Sequence, residues 1–121
     1  MIWLAVALAG ALGAACRFVV DQAVGAPKAA LLPWGTVVVN VTGSLAAGAV
    51  VRLVADLVVA EDVGLIVAGG FLGAYTTFST AMVESVRMLE ERAPVRAVLN
   101  LLVPVVLATV AALSGWWLAG R

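Results

Sequence analysis

Four long apolar stretches dominate the chain, set apart by short polar interruptions. A helix rises about 1.5 Å per residue and crosses bilayer hydrocarbon in about 20 residues, so the pattern predicts four membrane-spanning helices. The first covers roughly 2–23 and stops at Gly25-Ala26-Pro27-Lys28. The second covers 33–54, with Pro33 suited to a first helical turn, where its missing N–H is no loss. The third covers 62–92, and the carboxylates of Glu61 and Asp62 at its start complement the positive end of the helix dipole. The fourth covers 95–119, after Pro94. Trp3, Trp34, Trp116 and Trp117 all fall at predicted helix ends, where amphipathic rings favour the headgroup layer.

The apolar pattern fails once, inside the third stretch. Residues 73–80 read GAYTTFST, which places Gly73, Thr76, Thr77, Ser79 and Thr80 around Phe78. Polar side chains at that depth are costly unless they face a partner, a cavity or an ion. The cluster therefore predicts a break in the third helix, where unwound backbone could hold an ion.

Composition changes the picture little but excludes much. The chain of 121 residues is 64% apolar and 12% charged, with a mean hydropathy of +1.16. It reads as one all-α integral membrane domain over 1–121, too small to enclose a pore alone, so assembly with a second chain is expected. A formal net charge of zero argues against a nucleic-acid partner. With no His and one Cys, zinc and haem sites lack ligands. Cys16 reads as a buried small hydrophobe. No Lys or Arg precedes the first apolar stretch, so LGAAC at 12–16 reads as part of an uncleaved helix rather than a lipoprotein signal. Gly10/Ala14 and Gly43/Ala47, both at i,i+4, predict close helix packing. Arg17, Lys28, Arg87, Arg92 and Arg96 on one side against Arg52 and Arg121 on the other lean toward an N-terminus outside the cell.

The candidate chemistry lies on three helices. Thr36, Asn40 and Ser44 follow at i+4 steps on one face of the second, where the Asn40 amide needs partners. It is either an interhelical hydrogen bond or a donor lining an anion path. Arg17 in the first helix is expected to snorkel, to pair with Asp21 one turn on, or to attract anions into a vestibule. The edge of the Phe78 ring carries partial positive charge and can touch a small anion, although spacing alone favours an ordinary lipid-facing or packed ring. Glu84 reads as an interfacial carboxylate paired with Arg87 at i+3, or else as a proton site. No Ser-His-Asp, phosphate-loop or paired-carboxylate arrangement gives enzymatic chemistry a foothold.

Three motifs carry a resemblance. GALGAACRF at 10–18, PWGTVVVNVTGS at 33–44 and GGFLGAYTTFST at 69–80 resemble, in order, the signatures of the Fluc (CrcB) family of fluoride channels. The resemblance implies an antiparallel, dual-topology dimer in the plasma membrane that passes fluoride passively out of the cell through two pores. It implies a structural Na⁺ at the dimer centre, held by main-chain carbonyls of Gly73 and Thr76. It also implies that Asn40 donates to fluoride, that Phe78 offers its ring edge and that Arg17 lies near the vestibule. Ser79, Thr80 and Thr36 are further candidates for the path. Two positions depart from the family pattern: Ala81 stands where a second Phe is usual, and Pro104 where a Ser is frequent. Whether the chain forms a homodimer or pairs with a complementary subunit therefore stays open. So do two other readings, a non-conducting structural subunit and a small multidrug-type proton-coupled exporter. The exporter needs a carboxylate in the first helix, and positions 2–20 contain none.

Overall fold

A computed structural model describes residues 1–25 and 30–121, and all regular structure among them is helical. The breaker at Ala26, Pro27 and Lys28 lies outside the described residues. Helix α1 is Ile2–Val24 and α2 is Trp34–Ala55. The third span is composite: α3 at Glu61–Gly64, a π-helical segment at Leu65–Leu72, α4 at Gly73–Tyr75 and α5 at Ser79–Glu90. Helix α6 is Pro94–Ala119. Taken as one stretch, Glu61–Glu90 joins the other three as long and apolar enough to cross a membrane.

The ends of these helices follow from local chemistry. Gly25 closes α1 with φ 54°, a left-handed conformation open to glycine, and its amide returns to the Asp21 carbonyl at 2.9 Å. Pro33 precedes the first residue of α2, and Pro94 opens α6. Near the end of α2, Arg52 Nε meets Asp56 Oδ2 at 2.6 Å, the single ion pair among the described residues. At the same end of the bundle, the Arg52 guanidinium lies 5.2 Å from the Trp116 ring centroid. The Arg121 guanidinium lies 3.5 Å from that of Trp117.

Packing centres on α2, which rests mainly against α6, while α1 rests against the π segment. The α2–α6 seam is closed by glycines. A Cβ on Gly48 would strike the Ala112 carbonyl, and one on Gly115 would strike the Leu45 carbonyl. In the α1 seam, Gly13 lies against the Phe71 carbonyl in the same way, whereas Gly10 makes ordinary contacts at 3.6 Å and beyond. The tightest approaches in these two seams thus fall beside the predicted stripe positions, while Gly43 of the second stripe packs closely against the third span, where a Cβ would strike Thr76 Cγ2 and Tyr75. Lipid tails are as apolar as leucine, so helices here associate by such close backbone packing and by polar contacts. The few fully buried side chains include Val39, Thr36 and Asn100, and most large apolar side chains point outward. Cys16 also faces outward on α1, contrary to its reading as a buried hydrophobe.

Candidate functional site

The break forms where Thr76 turns extended, at φ −76° and ψ 158°. Its amide still bonds the Leu72 carbonyl at 2.9 Å, and its hydroxyl reaches the same oxygen at 2.9 Å. The next amide leaves the helix. Thr77 N donates to Asn40 Oδ1 at 2.8 Å, and Asn40 Nδ2 donates to the Thr77 carbonyl at 2.8 Å. The side-chain amide of α2 thus acts as a substitute peptide group, satisfying both backbone groups of one unwound residue.

That exchange strips donors from two carbonyls. In a continuous helix the Thr77 amide would serve the Gly73 carbonyl, but here Asn40 takes it. The Thr80 amide would serve the Thr76 carbonyl, but it donates to Thr77 Oγ1 at 3.2 Å. Thr77 Oγ1 in turn donates to Thr80 Oγ1 at 3.0 Å. Gly73 and Thr76 therefore carry oxygens without their helical partners, and Gly73 is exposed on the protomer surface. Oxygens freed in this way are the donor set a hard monovalent cation takes.

Three cavities flank the break. One of about 400 Å³ is lined by Asn40, Ser44, Thr76, Phe78, Ala81 and Pro104 among others. Phe78 stands at its edge, 68% exposed. A second, of about 200 Å³, brings Arg17 and Asp21 of α1 together with Thr36, Thr77 and Thr80. A third, of about 300 Å³, is lined by Ser79, Thr80, Val83, Glu84 and Arg87. All the residues named from sequence thus line the cavities or hold the break, with Gly73 also lining the first. Arg17 makes no ion pair with Asp21, and both face the second cavity instead.

Glu84 departs from its expected pairing. Thr36 Oγ1 donates to Glu84 Oε1 at 2.9 Å, and no Arg87 nitrogen comes within ion-pair distance. Thr36 is 2% exposed, so a short, fixed hydroxyl from α2 takes the place of a mobile guanidinium. Glu84 Oε2 is buried without a partner among the described residues. Behind it, Asn100 Nδ2 donates to the Ala81 carbonyl at 3.1 Å and to Ser85 Oγ at 2.9 Å, and Ser85 donates to the same carbonyl at 2.7 Å. Ser85 gives no signal in the sequence, because its role depends on α6 packing against α5. Ala81 is buried, and its small side chain leaves open the part of the first cavity beside Phe78 and Pro104. Pro104 lacks an N–H, so Asn100 also loses the helical donor to its main-chain carbonyl.

Comparison with known proteins follows the same residues. The family model described as "CrcB-like protein, Camphor Resistance (CrcB)" matches residues 4–116. The "Fluoride-specific ion channel FluC 2" of Mycobacterium tuberculosis (strain ATCC 25618 / H37Rv) is 44% identical over 118 residues, covering 98% of this chain and 90% of the relative. The "Fluoride-specific ion channel FluC 1" of Leifsonia xyli subsp. xyli is 40% identical over 120 residues, covering 99% and 88%. The "Fluoride-specific ion channel FluC" of Magnetococcus marinus is 40% identical over 111 residues, covering 91% and 90%.

Proposed function

The chain belongs to the CrcB-like family, and from that premise we propose that it is a subunit of a fluoride-selective channel of the cell membrane. It is not an enzyme; it lets cytoplasmic fluoride leave passively. The observation that carries the site is the double hydrogen bond between Asn40 and Thr77. A side-chain amide has two N–H donors, and only one is engaged with the protein here. The other is left for an anion in the cavity that Asn40 shares with Phe78.

Fluoride is small and strongly hydrated, so donors must replace its water one at a time. Neutral donors suit that exchange better than a fixed cation, because a channel needs sites that the ion can leave. Asn40 would supply an N–H, and Phe78 the positive edge of its ring. Ser79 and Thr80 supply hydroxyls further along the break, Thr36 lines the second cavity with its own O–H held by Glu84, and Arg17 with its neighbours forms a polar vestibule that draws the anion in.

A single protomer leaves this path half-walled. Phe78 and Gly73 lie open at the surface, which supports a second chain closing the site. An antiparallel pair would bring two breaks face to face, and the carbonyls of Gly73 and Thr76 from each chain would then hold one Na⁺. That cation would supply fixed positive charge where the helices are unwound. Ala81 and Pro104 support pairing with a complementary subunit, since they leave a void beside Phe78 in place of a ring and a hydroxyl. On this reading one of the two pores is complete. The alternative of a wholly non-conducting partner remains distinct, because it assigns no function to Asn40 or Phe78. The exporter reading has only Asp21, near the C-terminal end of α1, as a first-helix carboxylate, and the chain belongs to the CrcB-like family.

Fluoride efflux from liposomes containing this chain alone, read on a fluoride electrode with a chloride control, tests the proposal. Fast fluoride-selective efflux establishes a working homodimer. Silence alone with efflux on adding a related subunit establishes the heteromer. If Asn40→Asp and Phe78→Ile leave flux unchanged in a conducting complex, the structural-subunit alternative replaces this reading.

A further inference from the structure

On the flank of the bundle away from Asn40, α2 and α6 enclose an apolar groove of about 450 Å³. Its walls include Thr42, Leu45, Ala46 and Ala49 from α2 with Leu118 and Ala119 from α6. On α2 these positions recur at i, i+3, i+4 and i+7, so they form one stripe, and Arg52 follows Ala49 at i+3 on the same face. Arg52 therefore stands at the end of the groove.

The side chain of Arg52 also reaches across to α6. A Cβ on Gly120 would come 2.7 Å from Arg52 Cζ and 2.9 Å from its Nη2, so the guanidinium lies directly against the residue after Ala119. It is braced from two sides, by Trp116 at 5.2 Å and by Asp56 Oδ2, which takes its Nε. Asp56 offsets the charge of Arg52 but leaves the Nη groups toward α6 as donors. Arg121 adds a second guanidinium stacked 3.5 Å from the Trp117 centroid. The groove thus has an apolar body, and beyond its lining, at the helix end marked by two Trp rings, stand two held guanidinia.

The geometry points to a binding site for an acidic phospholipid, with one acyl chain in the α2–α6 groove and the headgroup phosphate between Arg52 and Arg121. The charge at that helix end and its depth select this occupant. The guanidinia stand at the level of the Trp belt, where headgroup phosphates lie, and not within the hydrocarbon. Guanidinium forks match phosphate oxygens, and stacking on Trp fixes them beforehand, so little side-chain freedom is lost on binding. A second copy of the chain would have to offer an apolar ridge with an acidic end. The acidic residues near the ends of this chain's apolar runs are Asp21, Asp56, Glu61, Asp62, Glu90 and Glu91, and cross-linking at Ala46 tests whether a second copy brings one of them to the groove.

The test uses the full chain with Trp3→Phe and Trp34→Phe, so that Trp116 and Trp117 report alone. Reconstituted in phosphatidylcholine vesicles, it is titrated with brominated phosphatidylglycerol or brominated phosphatidylcholine, and Trp quenching is followed. One uncompensated guanidinium near an acidic headgroup contributes about a fivefold preference, and Asp56 offsets much of the second at Arg52. Half-maximal quenching is therefore expected at a several-fold lower mole fraction of the acidic lipid, and Arg52→Gln with Arg121→Gln should bring the two curves together. Coinciding curves for the unsubstituted arginines overturn the proposal, and this comparison involves no arginine variant. A preference that survives the double Gln variant places the lipid elsewhere and also overturns it. Disulfide cross-linking of Ala46→Cys between chains in the bilayer, with Cys16→Ala, would show a second copy seated in the groove and equally refute the lipid.

Discussion

Removing the Asn40 amide tests how the break is held. In Asn40→Ala, the Thr77 N–H and C=O lose their two 2.8 Å partners at once. Asn40 is 8% exposed, so bulk water does not readily replace it. Each stranded backbone group costs about 1–3 kcal/mol, which bounds the loss at about 2–6 kcal/mol. The lower half of that range is expected, because the chain has an escape. Thr77 N can return to the Gly73 carbonyl and close the break into a continuous helix, at the expense of the packing around Phe78. We therefore expect a loss of about 2–4 kcal/mol in equilibrium unfolding from mixed micelles, together with loss of fluoride efflux. Hydrogen exchange at the Thr77 amide distinguishes the two parts: protection persists if the helix heals and vanishes if the break merely frays. Asn40→Asp keeps the acceptor for Thr77 N but sets an oxygen against the Thr77 carbonyl, so it too should destabilise. A variant within about 0.5 kcal/mol of the parent, with normal efflux, would refute the idea that Asn40 clamps the break.

Three further substitutions probe other features. Thr36→Val removes the donor to Glu84 Oε1 at nearly constant volume; a loss of about 1–3 kcal/mol and reduced efflux are expected, with rescue by Thr36→Ser, and equal behaviour of Val and Ser would dismiss the hydroxyl. Gly48→Ala places a methyl against the Ala112 carbonyl and should destabilise by about 1–3 kcal/mol in the same unfolding assay. Gly69→Ala, which meets only the tip of the flexible Leu65 side chain at 3.2 Å, should be tolerated by comparison. Phe78→Ala should leave the isolated protomer within about 0.5 kcal/mol, since the ring is mostly exposed there, yet lower efflux from the assembled channel. A large loss of protomer stability would instead make the ring a packing element.

Much of this was legible in the sequence, for identifiable reasons. Four spans and a broken third helix follow from hydropathy and from polar residues where hydrocarbon is required. Helical spacing also predicts that Thr36, Asn40 and Ser44 share a face, but spacing does not say what the face meets. Asn40 meets Thr77 and Thr36 meets Glu84, at sequence separations of 37 and 48. The pairing of Glu84 with Arg87 looked favourable because it is local. It does not form: Thr36 reaches the carboxylate from α2, while Arg87 lines the same cavity outside ion-pair distance. The pairing of Arg17 with Asp21 fails similarly, as both turn to a cavity made by three helices. The π-helical segment at Leu65–Leu72 had no visible mark, since its residues are almost all apolar and fit an α-helix equally well.

The clamp at Thr77 also dictates an order of events during biogenesis. A third span entering the bilayer already broken would carry the Thr77 N–H and C=O without partners, at several kcal/mol for each. It must therefore insert as an unbroken helix, with Thr77 bonded within its own turn. The break becomes affordable only after the second helix has docked and offered Asn40 in exchange. Assembly is thus a trade of one hydrogen-bond partner for another inside the membrane, and the freed carbonyls of Gly73 and Thr76 are its product. A chain caught before that trade would look fully helical and would have no conducting site to leak through.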